Sequence, residues 1–127
     1  MKVIMVEPNK KAYVTEIEDS LAAEQKAVGG YIQAVYPFME LVAIVCNEEA
    51  KLDGLPPNRA LYDDENNLYD IICGNFFICG LSEDNFADIQ EENIEKFLNM
   101  YLYPETFIRL GDKIIAIKDT TNRDERG

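Results

Sequence analysis

The sequence contains no histidine, so the polar residues to weigh first are carboxylates, amides, a lysine and an arginine. The polar residues whose spacing could bring them together lie between two apolar runs: Asn47-Glu48-Glu49, Lys51, Asn58-Arg59 and Asp70. Adjacent carboxylates such as Glu48 and Glu49 repel each other, which can raise the proton affinity of one towards acid–base work or let the pair hold a metal. Asn-Glu-Glu is also ordinary turn chemistry, and that reading is favoured because so short a motif is weak. Asn58-Arg59 follows Pro56-Pro57, and two prolines stiffen the backbone that presents them. Arg59 either receives an anion or pairs with Glu48, Glu49 or Asp70, with Asn58 capping a short helical turn over Arg59-Ala60-Leu61. The internal pairing is favoured, since an arginine in an acidic chain usually finds a carboxylate. In both versions Asn58, Arg59 and Asp70 are expected to come close together.

Several chemistries are excluded. Cys46, Cys73 and Cys79 sit in apolar runs without a Cys-x-x-Cys spacing, so zinc is not expected and the thiols read as reduced and buried. The missing histidine removes the usual base of serine and cysteine hydrolases. The Asn47 loop lacks the alternating ligands of a calcium loop. Gly29-Gly30 lacks the further glycine of a phosphate-cradling loop and leads into a strand, so it reads as a helix end. No cofactor and no metal are expected.

The elements that must position these residues follow from period and punctuation. Lys2–Val6 and Ala12–Glu18, split by Pro8-Asn9, predict a hairpin. Asp19 or Ser20 caps a helix whose stripe is Leu21, Gln25 and Val28 and which ends at Gly29-Gly30. Tyr31–Tyr36 and Leu41–Cys46 predict strands, the second covered on both faces because Val42 to Val45 is continuously apolar. Gly54–Pro57 is irregular, Asp63–Asn67 is a loop tip, and Tyr69–Cys79 returns to the core with a bulge or bend at Gly74. Ile94, Phe97, Leu98 and Tyr101 repeat at helical spacing within Glu91–Leu102. Thr106–Leu110 and Lys113–Lys118 close the chain as a hairpin. The expected fold is α+β: a mostly antiparallel sheet with two helices packed on it. It forms a single domain over 1–118, with a charged, frayed tail over 119–127.

A chain of 127 residues, 47% of them apolar, is long enough to bury one core. Its net charge of −12 argues against direct nucleic-acid binding and against docking on anionic membranes. It suits a protein partner with a basic surface, although acidity also serves solubility alone. No stretch has signal-peptide or membrane-spanning character, so a cytoplasmic protein is expected. Glu83, Asp84, Asp88, Glu91, Glu92 and Glu95 crowd the start of the second helix, with Lys96 the only cation between Glu83 and Leu102. If they share one face, their fields add, and that face could imitate the phosphate row of DNA. The aromatic end of that helix, Met100 to Tyr103, is a further candidate contact.

Gln25, Val28-Gly29-Gly30-Tyr31-Ile32, Asn47-Glu48-Glu49, Lys51, Gly54-Leu55-Pro56, Asn58-Arg59-Ala60, Asp70-Ile71-Ile72 and Gly74 together resemble a family of small domains of unknown function. That family is carried by phages, plasmids and conjugative elements of Gram-positive bacteria. The likeness covers about two thirds of the chain, with Glu24 where the family has leucine and Ala50 in place of a turn glycine. It implies a genomic setting and no activity. Two functions are therefore expected. The first is a non-catalytic accessory protein of a mobile element that binds another protein through acidic surface, with an anti-defence or DNA-mimic role as its sharpest form. The second is a small-molecule or nucleotide-binding domain, open to catalysis, with a pocket around Asn47, Asn58, Arg59 and Asp70. Binding residues on these readings are Gln25, Asn47, Glu48, Glu49, Asn58, Arg59 and Asp70. An enzyme is the less favoured class, and a homodimer is compatible with either reading.

Overall fold

A computed structural model describes residues 1–83 and 85–121. β1 (Lys2–Val6) and β2 (Tyr13–Glu16) form the expected antiparallel hairpin, with Val3 opposite Thr15 and Met5 opposite Tyr13. Proline 8 ends the first strand, and Asn9 turns the chain with a left-handed φ of 65°. α1 (Leu21–Val28) begins where Ser20 Oγ accepts the Ala23 amide at 3.1 Å and ends at Gly29, whose φ is 82°. Its inward row is Glu24 and Val28, one turn apart, while Leu21 points outward. Half-buried Ala23 and Ala27 let the helix lie close to what it covers.

The chain continues through β3 (Ile32–Val35), β4 (Val42–Asn47), β5 (Pro57–Tyr62), β6 (Leu68–Cys73), β7 (Phe76–Ser82), β8 (Asn85–Ala87), α2 (Glu91–Tyr101), β9 (Glu105–Leu110) and β10 (Lys113–Lys118). The main sheet has the order β2-β1-β7-β4-β3, with β8 paired to the end of β7. Every pairing in it is antiparallel. Side chains alternate between the two faces of each strand, and both faces are covered, which is why the central runs are apolar without interruption. Val3, Met5, Ala43, Val45, Phe77 and Cys79 pack with Val28 of α1 on one face. Ile4, Val6, Ile44, Phe76 and Ile78 pack on the other with Phe97 and Tyr101 of α2 and with Leu61 and Ile72 of the β5–β6 ribbon. The β9–β10 ribbon sits outside this core, against β5. The fold is thus α+β, with its two helices on opposite faces of a mostly antiparallel sheet.

Some expectations need correction. Arg59-Ala60-Leu61 is strand and not a helical turn, because these residues form a ladder with Ile72, Ile71 and Asp70. β8 was not expected at all. Tyr101 is buried, edge-on to Phe76 with centroids 5.7 Å apart, so it belongs to the core, while Met100, Leu102 and Tyr103 of the expected contact patch are half-buried. Cys46 and Cys79 are buried and free, whereas Cys73 is only half-buried. Residue 84 and residues 122–127 lie outside the described set, and with them Asp84 and most of the expected tail.

Burial first, and Asp19 second, raise the Glu24 carboxyl above its ordinary 4.5. A group with a raised folded-state pKa favours folding in its protonated form. Its influence is therefore neutral below about pH 4.5, and stability falls as pH rises through the raised value. Glu24→Gln removes that loss. Thermal melts across pH should show the variant above wild type at pH 7, with the gap narrowing towards pH 4.

Candidate functional site

Asn58 and Arg59 stand on neighbouring positions of β5, and both are buried. Arg59 has 0% of its surface exposed. Its Nε donates to Tyr101 O at 3.1 Å, Nη2 to Lys10 O at 2.7 Å, and Nη1 to Asn58 Oδ1 at 2.8 Å. Asn58 Nδ2 in turn donates to Val6 O at 3.0 Å and Gly74 O at 2.8 Å. The stiff Leu55-Pro56 approach completes the joint. Pro56 O accepts the Gly74 amide at 2.7 Å, and Gly74 adopts a φ of 74°. A Cβ at Gly74 would lie 2.8 Å from Leu55 Cδ1, so the close approach as well as the dihedral requires glycine. Glu105, at the start of β9, is buried beside this joint, and its Oε1 accepts the Ala60 amide at 2.9 Å. Burial raises its pKa, opposed by the Ala60 hydrogen bond and then by the charge of Arg59.

The Asn47 turn is built in the same way. Asn47 is buried at the end of β4. Its Nδ2 donates to Val28 O at 3.2 Å, and its Oδ1 accepts the Glu49 amide at 2.8 Å. It therefore ties the last turn of α1 to the turn after β4. A Cβ at Gly30 would come within 2.9 Å of Asn47 Nδ2, which explains the second glycine after the helix-ending Gly29. Glu48 and Glu49 stay exposed.

Asp70 lies on β6 opposite Leu61, away from the Asn58–Arg59 joint along the ladder. Its Oδ1 accepts from Lys51 Nζ at 2.5 Å. That hydrogen bond holds the lysine pKa up, so Lys51 is a cation and not a base. Asn47, Glu48, Lys51 and Asp70 line one hollow together with Gln33, Cys46 and Cys73, of ≈ 170 Å³. Gln25, Asn47 and Glu49 line a second, of ≈ 270 Å³, with Gly30, Tyr31 and Asp53. Both fall below the roughly 300–1,000 Å³ of ordinary small-molecule sites. Burial raises the thiols of Cys46 and Cys73, so neither is a ready nucleophile. Among the described residues, no group of three or more His, Cys, Asp or Glu could hold a metal ion.

The acidic residues near α2 are unevenly neutralised. Glu91 pairs with Lys2 Nζ at 3.0 Å, and Asp88 Oδ1 accepts the Lys2 amide at 2.8 Å. Lys96 pairs with Glu40. Glu83, Glu92 and Glu95 are exposed. Glu83 and Asp88 are on the wall of a groove of ≈ 800 Å³ that is also lined by Tyr36, Leu41, Leu81 and Phe86. Next to it a Cβ at Gly80 would meet Asp88 O at 2.1 Å, so the chain leaving β8 presses directly on β7. Sequence reasoning missed this groove. The available signal was the Tyr36–Leu41 loop, which leaves Met39 fully exposed and Leu41 61% exposed.

With this geometry in place, kinship can be stated. Residues 1–102 match the family model described as a domain of unknown function (DUF3846), and the chain belongs to that family. Neither a curated protein nor a solved structure matches it. No helix among the described residues is long and apolar enough to cross a membrane.

Two outcomes test the site's construction. Arg59→Ala takes from buried Glu105 the larger of the two cations that offset it and strands the Lys10 and Tyr101 carbonyls. It should cost about 3–5 kcal/mol, measured by urea denaturation. Thiol labelling of the native protein should proceed fastest at Cys73 and slowest at Cys79, whose pKa burial pushes up to about 12. All three thiols should react at once after denaturation.

Proposed function

We propose that the domain is a non-catalytic binding module that holds a basic, apolar-anchored segment of another protein. The groove between the Tyr36–Leu41 loop and the β7–β8 hairpin is the proposed seat. The observation that carries this reading is the make-up of that groove: a floor of Leu41, Leu81 and Phe86 beside the carboxylates of Glu83 and Asp88. Aliphatic or aromatic side chains would enter the floor, while lysine or arginine would meet the carboxylates and the acidic start of α2. Residues 1–102 hold 19 acidic and 7 basic residues, the whole net charge of −12, so the surrounding field favours a cationic partner. An accessory role in a phage, plasmid or conjugative element, acting on a host or element protein, is the biological form this reading takes. Its DNA-mimic version has less support, because Lys2 and Lys96 lie among the carboxylates. A small-molecule role has less support too, since Asn58 and Arg59 are enclosed and the hollows beside Asn47 and Asp70 are small.

The test is fluorescence anisotropy with peptides that alternate lysine with leucine or phenylalanine. Such a peptide should bind at low salt and release as salt rises. Glu83→Gln with Asp88→Asn, which keeps the acceptor for the Lys2 amide, should weaken binding by roughly three- to tenfold. Equal binding of a lysine peptide without apolar anchors, or unchanged affinity in the double variant, overturns the reading.

A further inference from the structure

The β9–β10 ribbon follows the last residue matched by the family model, and it differs in character from the domain before it. Directly opposed residues of a ladder share a face, and successive residues alternate. Glu105 with Lys118, and Phe107 with Ala116, therefore form the face turned to the domain. The other face carries Thr106 with Ile117, Ile108 with Ile115, and Leu110 with Lys113. Ile108, Leu110, Ile115 and Ile117 are 41, 57, 42 and 49% exposed, four large aliphatic side chains in one contiguous row. A patch of this kind, a few hundred Å² across, marks an interaction surface more often than chance exposure.

We infer that the outer face of this ribbon is a dimerisation surface, covered by the same face of a second copy of the chain. Charge selects that occupant. Residues 103–127 hold five acidic and five basic residues, whereas the preceding 102 carry the entire net charge of −12. Two copies repel each other everywhere except through this balanced segment, which is also the one with the aliphatic row. A cationic partner, by contrast, is drawn to the acidic domain and not to a neutral ribbon. Lys113 and Lys118 bracket β10, a placement that discourages edge-on addition of further strands. Contact through the face closes as a pair, whereas contact through the edge would propagate. Two such patches bury on the order of 800 Å², so the dimer is weak and depends on concentration.

Sedimentation velocity on the full chain, from micromolar to millimolar and at low and high salt, tests this. A dimer should form as concentration rises, and added salt should leave it unchanged or tighten it, because salt screens the repulsion between acidic domains. This dependence is opposite to that of the groove, so the two readings fail separately. Ile108→Thr with Ile115→Thr keeps a β-branched cross-strand pair and should weaken the dimer at least about tenfold. Leu110→Lys, at the most exposed of the four, should do the same, and thermal melts confirm that each variant folds. A monomer at all concentrations, a dimer released by salt, or a dimer indifferent to both variants overturns the inference.

Discussion

A guanidinium with none of its surface in water must be surrounded by acceptors before anything around it can close. Arg59 is such a group, and it draws on four separate parts of the chain: the turn after β1 through Lys10, its own strand through Asn58, the end of α2 through Tyr101, and Glu105 across the joint. The cost of removing this charge from water is several kcal/mol, and only a nearly complete shell offsets it. The position of β5 over the sheet, the docking of α2 and the departure of β9 are therefore fixed together. Asn58 extends the same network to Val6 and Gly74, which sets where β6 ends and β7 begins.

The polar residues that stand out in the sequence between the apolar runs are in large part joints. Asn47 secures a helix end, Asn58 a pair of strands, Gly30 and Gly74 give way to close neighbours, and Arg59 gathers carbonyls. Buried amides and glycines are strictly constrained because each satisfies particular backbone groups in a region without water. The two proposed contact surfaces draw on a different set: Tyr36, Leu41, Leu81 and Phe86 with their carboxylate neighbours, and the aliphatic row of the last ribbon.

The hairpins β1–β2 and β9–β10, the covered strand β4 and the amphipathic α2 were legible because period and punctuation are local properties. β8 was not, since Asn85-Phe86-Ala87 is too short to show a period and sits among acidic residues that read as solvated. The start of β5 at Pro57 was hidden by its prolines. Burial of Arg59 was illegible for a different reason. An arginine in an acidic chain has carboxylates nearby in sequence, whereas the carbonyls that hold this one come from residues 49 and 42 positions away. The inward turn of Glu24 was concealed by its charge, and the stripe of Leu21 and Val28 looked more natural. Asn47 and Asp70 do line a common hollow, but Asn58 faces inward and joins the Arg59 network.

The position of β7 has a consequence for how the chain assembles. β1 and β2 form a local pair, as do β3 and β4, yet the two pairs are joined only when Phe76–Ser82 enters between β1 and β4. Until about residue 80 has been synthesised, each pair presents an open apolar edge to its surroundings. Assembly must then wait for contacts distant in sequence, the arrangement that slows folding and leaves strand edges available to other chains. Nascent chains of this protein would thus be most vulnerable to misassociation just before the ribosome releases β7.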